Sequence, residues 1–247
     1  MSVLERKMIH ASTTCPYQCQ YCFSKWLNYK RPNTITEFID DLLIYPFCDS
    51  ELEFQDYKTI LFEIAEQVNL NKCRIVISIS TKSYLKDDVL DELQFLHENL
   101  CKYGGGVKVS VSLTNKTFPD IEKGVASYAE RIDLLKKLTN YEMKTSVIVK
   151  PILPFVSPEE YIDILDDTCS FSEKFLIGGL YVNKRTDFYK NYIQEKYETV
   201  LREVDWLDGE NWLYVDSADT QKIIKNHLLA KGKAIFESDR DLIESWL

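Results

Sequence analysis

Short apolar runs alternate with helix-like segments along most of the chain. This alternation restricts the possible fold classes more than any other feature of the sequence. The runs that predict strands are KMIHAS (7–12), DLLIYPF (41–47), CRIVISIST (73–81), VKVSVSL (107–113), KTSVIVKPI (144–152) and KFLIGGLYV (174–182). Several are apolar on both faces, as expected of parallel strands covered on two sides. Helical spacing of apolar residues fills the intervals at 56–68, 87–100 and 128–138, and Pro158 marks a further helix start.

This order of elements predicts an α/β fold: a partial (βα)6 TIM-like barrel of parallel strands with helices outside. In such barrels function gathers at the carboxyl ends of the strands. We expect the barrel core to span 1–184. The remainder, 185–247, departs from the alternation and is interpreted as a mostly helical elaboration packed on the core. Within it we predict a helix over 187–204, a short strand or loop over 209–217 and a helix over 218–231.

Composition limits the function classes. The chain has 247 residues, enough to bury one sizeable core. Lys and Arg number 30 against 39 Asp and Glu, a net charge of −9 that does not favour sequence-independent binding to nucleic acid, although a local basic groove is compatible with it. No apolar run approaches the length of a membrane span. Because the sequence shows no targeting features, a cytoplasmic location is expected.

Three cysteines carry most of the chemical information. Cys15, Cys19 and Cys22 stand in CPYQCQYC with the spacing C-x3-C-x2-C, directly after the first predicted strand. Three thiolates on one loop can hold three irons of a [4Fe–4S] cluster and leave the fourth iron open. Zinc with His10 as a fourth ligand is the alternative, but there is no second C-x2-C pair. A disulfide framework is less expected in a chain without a signal peptide.

The motif, with Tyr21 directly before the third cysteine, resembles the hallmark of the radical S-adenosylmethionine (SAM) superfamily. In that superfamily the open iron binds the amino and carboxyl groups of SAM, and one electron cleaves the sulfonium to give a 5′-deoxyadenosyl radical. The resemblance therefore implies two cofactors, a [4Fe–4S] cluster and SAM. It also implies an external one-electron donor of the flavodoxin or ferredoxin type.

Four further stretches resemble the branch of spore photoproduct lyase and DNA-repair-photolyase-like proteins. They are YPFCDSELE with Cys48 and Ser50, ISTKSYL with a Thr-Lys pair, VSVSLTN with Ser110 and Ser112, and EKGVASYAERIDLLKKL. The resemblance covers roughly residues 8–155, and the stretches follow the branch order at strand ends. It implies a nucleotide or nucleic-acid-related substrate.

The resemblance also implies roles in binding SAM. Tyr21 would lie against the adenine, and Lys82 would pair with the carboxylate. Ser112 would bind the ribose or the methionine end. Because side chains alternate along a strand, Ser110 shares the face of Ser112, and the two are not ranked.

The amino group of SAM is assigned to Ser50. Many superfamily members carry an acidic GGE-like motif for this contact, and that motif is absent here. Glu51 or Glu53 is therefore kept as a substitute.

Cys48 matches the cysteine that donates a hydrogen atom to the product radical in spore photoproduct lyase. The alternative is a small buried apolar residue, the common fate of a thiol. One position departs from the lyase: Phe23 stands where a tyrosine is thought to relay the radical. Either Tyr21 or Tyr17 replaces that tyrosine, the relay differs, or the hydrogen return does not occur.

The leading hypothesis is thus a radical SAM enzyme acting on a nucleotide-type or other small substrate. A peptide- or protein-modifying radical SAM enzyme or activase is an alternative, for which this length is typical and the missing GGE-like motif unfavourable. A zinc-binding interaction module is the alternative from another class.

Overall fold

The computed structural model describes residues 4–9, 11, 13–24, 41–141, 143–202 and 212–246. The strands are β1 (Glu5–Ile9), β2 (Gln18–Cys19), β3 (Leu42–Pro46), β4 (Ile75–Thr81), β5 (Gly106–Ser112), β6 (Glu122–Lys123), β7 (Lys144–Ile152), β8 (Lys174–Asn183), β9 (Thr199–Leu201), β10 (Trp212–Val215) and β11 (Ala234–Phe236). The helices are α1 (Tyr57–Asn71), α2 (Asp87–Cys101), α3 (Tyr128–Leu138), α4 (Pro158–Thr168), α5 (Ala218–Ala230) and α6 (Asp239–Glu244).

The described residues form two compact units that are interleaved along the chain. The first draws on 1–16, 30–111 and 129–145, and the second on 17–29, 112–128 and 146–247. The predicted division of the chain at residue 185 stays a prediction.

The first unit contains parallel strands in the order β1, β3, β4, β5. Residue pairs such as Glu5 with Leu42, Leu42 with Ile75, and Val76 with Gly106 set the register. All seven residues of β5 are buried, which fits a strand covered on both faces. Parallel pairing places the carboxyl ends of these strands at one edge, where the segments after β1, β3 and β4 lie together.

Helix α2 shows why these sequences form helices on the sheet. Leu93, Leu96 and Leu100 recur at three- and four-residue spacing and are buried. Asp87 and Asp88 occupy the first turn, where a negative charge interacts favourably with the helix dipole. The helix packs against α1.

The second unit is organised around β8. It pairs in parallel with β7 and β11, and antiparallel with β10, which in turn pairs antiparallel with β9. The two-residue strands β2 and β6 form a separate antiparallel pair. Helix α4 begins with a capping arrangement, in which the Ser157 hydroxyl accepts a hydrogen bond from the Glu160 backbone N–H at 3.2 Å and Pro158 follows at the first helical position.

Most predicted elements are confirmed. Strand β7 and helix α3 have the predicted bounds, and the other predicted strands and helices of the barrel alternation differ by a few residues at their ends. The segment 209–217, predicted as a short strand or loop, contains strand β10 in its described part, and the helix predicted over 218–231 is α5. Residues 203–211 lie outside the described residues, as do His10 and Ser12.

The helix predicted over 187–204 is confirmed only at its start in the described part of that segment. Residues 187–188 are α-helical and a π-helical turn spans Tyr189–Ile193, and Glu195 then takes a left-handed conformation with φ of 63°. A helix does not continue through such a residue. Thr199 and Val200 follow, and these β-branched residues pair with Val215 and Tyr214 as strand β9. The elaboration therefore contains strands as well as helices.

Among the described residues, no helix is both long enough and apolar enough to span a membrane.

Candidate metal and cofactor site

The segment before Cys15 is clamped by one glutamine side chain in the first unit. The Gln55 carboxamide oxygen accepts the Thr13 backbone N–H at 3.2 Å, and its nitrogen donates to the Thr13 carbonyl oxygen at 3.1 Å. The same nitrogen lies 2.8 Å from the Thr13 hydroxyl and 3.0 Å from the Ser50 hydroxyl. Gln55 is buried. One side chain thus bonds both the backbone N–H and the backbone carbonyl of a residue shortly before the first cysteine.

Two further bonds tie the same stretch to the segment after β3. The Ala11 backbone N–H donates to Asp49 Oδ1 at 3.2 Å, and the Thr13 hydroxyl donates to the Phe54 carbonyl at 3.1 Å. Cys15 follows two residues later and is partly exposed. The backbone that leads to Cys15 is therefore fixed, while the Cys15 residue stays partly exposed to solvent.

Glu51 is a buried carboxylate at the carboxyl edge of β3 and β4. Its Oε2 accepts the Thr81 hydroxyl at 2.6 Å, and its Oε1 accepts the Lys82 backbone N–H at 3.1 Å. Burial raises the pKa of the Glu51 carboxyl, while the bond from Thr81 and the charge of Lys82 oppose the shift. The carboxylate is held in one orientation beside Ser50 in sequence and Lys82 in space.

Cys48 follows a strained residue. Phe47 is buried and has φ of 54°, an uncommon backbone conformation for a bulky side chain. Its N–H donates to the Ile9 carbonyl at 2.9 Å and its carbonyl accepts the Ser50 N–H at 2.9 Å. The turn leaves Cys48 exposed, with its sulfur 3.8 Å from Met8 Sδ. The thiol is not the buried apolar residue of the alternative interpretation.

Cys19 and Cys22 belong to the second unit and share one turn, closed by a 3.1 Å bond from the Cys22 N–H to the Cys19 carbonyl. Strand β2 pairs Cys19 with Glu122. The Gln20 backbone N–H donates to the Ile121 carbonyl at 2.9 Å, and its side chain donates to the Asp120 carbonyl at 3.0 Å. The later half of the cysteine loop is thus anchored by its own backbone pairing.

Tyr21 turns its side chain into the second unit. The phenol donates a hydrogen bond to Glu122 Oε1, which also accepts the Thr114 hydroxyl at 2.8 Å. Burial, followed by the nearby Glu122 charge, raises the pKa of Tyr21 well above its ordinary value. The buried bond fixes the residue between the second and third cysteines of the loop.

The remaining predicted residues occupy strand ends. Lys82 directly follows β4 and is partly exposed, and Ser112 is the last residue of β5 and is buried, as is Ser110. The structure brings Ser50, Glu51 and Lys82 together in the first unit through the bonds of Glu51 and Gln55. Of the two acidic substitutes, Glu51 has these contacts.

All seven cysteines lie among the described residues and are thiols, not disulfides. Three thiols from one loop suit an iron–sulfur cluster as a donor set, since soft sulfur ligands hold such clusters. No group of three or more His, Cys, Asp or Glu side chains gathered to hold a metal is present within the described ranges. The fit of the loop to a cluster therefore rests on its donor set and on its anchored backbone.

Sequence reasoning missed Gln55, Thr114 and Glu122. Each acts through a partner distant along the chain: Gln55 and Thr13 are separated by 42 positions, and Tyr21 and Glu122 by 101. The stretches containing these residues carried no local pattern that identifies the partner.

Comparisons with known proteins define the class of fold. An uncharacterized protein of Methanocaldococcus jannaschii is 24% identical over 193 residues, which cover 74% of this chain and 73% of that protein. No family model matches the chain. A mutant spore photoproduct lyase structure is 14% identical with a TM-score of 0.64, covering 93% of this chain and 75% of that chain. The same enzyme is also matched in a complex with dinucleoside spore photoproduct, with a TM-score of 0.60.

Two other structures give the same result. Streptococcus suis SuiB is 12% identical with a TM-score of 0.54, covering 99% of this chain and 52% of that one. Methylornithine synthase is 14% identical with a TM-score of 0.51, covering 94% and 64% respectively. All of these structures are radical SAM enzymes. The chain shares the α/β fold of these enzymes, with a mostly parallel sheet, as the sequence predicts.

Proposed function

We propose that this chain is a radical SAM enzyme acting on a nucleotide-type substrate, with Cys15, Cys19 and Cys22 as the ligands of a [4Fe–4S] cluster. The observation that carries the proposal is the C-x3-C-x2-C loop in a chain with the radical SAM fold. A cluster held by these three thiolates would supply the one electron needed for the reductive cleavage of SAM to a 5′-deoxyadenosyl radical. An external donor of the flavodoxin or ferredoxin type would provide that electron.

The protein's own task is to hold the loop and orient the cofactor. Gln55 fixes the backbone before Cys15, and Tyr21 fixes the backbone before Cys22 by its bond to Glu122. Because Cys19 and Cys22 share one anchored turn, these two thiols would be presented in a restricted geometry. Preorganised ligands lose less conformational freedom when a metal group binds.

We assign the amino group of SAM to Glu51 together with Ser50. The oriented carboxylate of Glu51 supplies the acidic function of the missing GGE-like motif. Lys82 pairs with the carboxylate of SAM, Ser112 binds its ribose or methionine end, and Tyr21 lies beside the adenine through its backbone. These contacts would keep the sulfonium in one position for cleavage.

We assign to Cys48 the return of a hydrogen atom to a substrate-derived radical. A thiol suits this step because its S–H bond is weak. The exposure of Cys48 at the edge after β3 supports the assignment. Phe23 cannot form a phenoxyl radical. Any radical relay would therefore need a residue other than the one at position 23.

The substrate class rests on similarity to a spore photoproduct lyase solved with a dinucleoside. That enzyme is similar over 91% of this chain. The net charge of −9 argues for a nucleotide or short oligonucleotide in place of a long duplex.

Metal analysis tests the proposal against a zinc module. The full chain is reconstituted anaerobically with iron and sulfide, and iron, acid-labile sulfide and zinc are measured per chain. We expect iron and sulfide in equal amounts near four per chain, lost in Cys19→Ser and retained in Cys101→Ser, since a [4Fe–4S] cluster has that composition. Zinc at about one per chain without sulfide would overturn the proposal.

A further inference from the structure

In the second unit, four aromatic rings form a group with the ring of Tyr21, which belongs to the cysteine loop. Tyr21 contacts Phe188 with ring centroids 6.2 Å apart, and Phe188 stacks on Tyr192 at 5.4 Å. Phe155 lies 5.4 Å from Tyr192 and 5.2 Å from Phe118. We call Phe118, Phe155, Phe188 and Tyr192 the aromatic platform. It is linked to the loop through Tyr21.

The platform residues come from segments that follow strands. Phe118 follows β5, Phe155 follows β7, and Phe188 and Tyr192 follow β8. In parallel α/β folds the segments after the strands carry the substrate-binding residues. Phe188 is buried and forms the base, while Phe118, Phe155 and Tyr192 are partly exposed. Side chains that only fill a hydrophobic core are fully buried, whereas these three rings are partly exposed.

The backbone that carries two of the rings is unusual. Phe188 directly precedes the π-helical turn Tyr189–Ile193, and Tyr192 lies within it. Such turns are rare and occur frequently at functional sites. The turn places Phe188 and Tyr192 face to face, with an angle of 29° between the ring planes. A planar ligand can extend this stack from the exposed side.

Positive charge accompanies the platform in a chain that is acidic overall. The segment 183–196 holds Lys184, Arg185, Lys190 and Lys196 against Asp187 and Glu195. Lys184 and Arg185 are exposed at the tip of a turn after β8, in which Asn183 Oδ1 accepts the Arg185 N–H at 2.9 Å. Lys190 lies 3.5 Å from Asp187. Lys184 and Arg185 are therefore two adjacent, exposed cations that could meet an anion.

We infer that the aromatic platform stacks on the base of a nucleotide and that Lys184 and Arg185 bind its phosphate. This inference rests on the proposed function and names the residues that select its substrate. Aromatic rings stack on bases of any identity, so the platform sets the class of ligand, and the cations add preference for a phosphorylated form.

Equilibrium dialysis of the purified full chain tests the inference with thymidine 5′-monophosphate, thymidine and inorganic phosphate as probes. We expect Phe155→Leu to weaken binding of the monophosphate about tenfold or more, the size of one lost stacking contact. Phe95→Leu, which changes an exposed ring on α2, is the matched control and should leave the Kd unchanged. Tyr192→Leu is the second platform variant, and thermal unfolding of every variant shows which of them are folded.

The charged part is tested separately. Arg185→Gln should weaken binding of the monophosphate several-fold and leave binding of thymidine unchanged, whereas Lys222→Gln, an exposed cation on α5, should change neither. Equal loss for both ligands in Arg185→Gln overturns the phosphate assignment.

The outcomes separate the inference from the proposed function. If the wild type binds the monophosphate and both folded platform variants bind it equally well, the platform assignment is wrong and the nucleotide substrate class stands. If the wild type cleaves SAM but binds neither nucleotide nor nucleoside, the inference and the substrate class are both wrong while the radical chemistry stands.

Discussion

The Gln55 side chain pairs with the backbone of Thr13 in both directions, accepting its N–H at 3.2 Å and donating to its carbonyl at 3.1 Å. This relationship links the 3₁₀ turn Leu52–Phe54, which Gln55 ends, to the start of the cysteine loop. Because Gln55 also contacts the Ser50 hydroxyl at 3.0 Å, one buried side chain connects the proposed SAM site with the proposed cluster loop.

Removing this clamp should affect cluster assembly. Gln55→Ala leaves the Thr13 backbone groups without their side-chain partner, and a lost buried hydrogen-bond partner costs about 1–3 kcal/mol. We expect reduced iron and sulfide content after reconstitution and slower SAM cleavage, in a protein that remains folded. Gln67→Ala on α1 is the control. Wild-type cluster content in Gln55→Ala would contradict a positioning role.

Cys48→Ala should separate cleavage from hydrogen return. The substitution leaves the three loop cysteines unchanged, so 5′-deoxyadenosine should still form when SAM and a reductant are supplied. With a substrate, the product distribution should change because the donor thiol is gone. Mass spectrometry of the products, with Cys101→Ala in parallel, makes this comparison. Identical products in wild type and Cys48→Ala would eliminate the thiol as the donor.

Glu51 should give a pH-dependent contribution to stability. Its pKa is raised in the folded protein by burial, so the folded state holds the proton more tightly than the unfolded chain. The contribution favours folding below the ordinary pKa and is lost as pH rises through the raised folded value. The free energy of unfolding of wild type minus that of Glu51→Gln should therefore decrease as pH rises above the ordinary pKa of a glutamate carboxyl.

Urea unfolding at several pH values measures that difference, with Glu66→Gln, an exposed position on α1, as the control. A difference that is constant or increases with pH would show that the carboxyl is not held as described. At neutral pH the same variant should also bind SAM more weakly, because the amide lacks the charge that meets an amino group.

Tyr21→Phe should destabilise the second unit by about 1–3 kcal/mol, since it removes a donor from the buried carboxylate of Glu122. Tyr197→Phe is a control that keeps the number of phenols equal. Chemical denaturation monitors both variants. An effect of Tyr21→Phe no larger than that of the control would show that the phenol does not anchor the loop.

The sequence predicts those elements whose signals are local. Helix α3 and strand β7 have their predicted bounds because apolar spacing and burial agree along the segment. The segment 187–204 also carries helix-favouring residues, but Glu195 takes a left-handed conformation and β10 supplies a strand partner. Pairing with a distant strand overrides local preference, and no local pattern reports it.

In the candidate site, too, local features are predictable from the sequence and long-range contacts are not. The cysteines are recognisable because their spacing along the chain is itself the signal. The partners that orient the loop, Gln55 and Glu122, are selected by three-dimensional proximity across long sequence separations. Ser50 and Glu51 stand side by side in the sequence, and only the bonds to Thr81 and Lys82 distinguish the buried carboxylate.

The most direct test of the account is the formation of 5′-deoxyadenosine by the anaerobically reconstituted chain supplied with dithionite and SAM, with and without nucleotide. We expect 5′-deoxyadenosine to form in the wild type and in Cys101→Ala, and to be absent in Cys15→Ala. Formation of 5′-deoxyadenosine in Cys15→Ala at the wild-type rate, or its absence in wild type that carries a full cluster and bound nucleotide, would contradict this expectation.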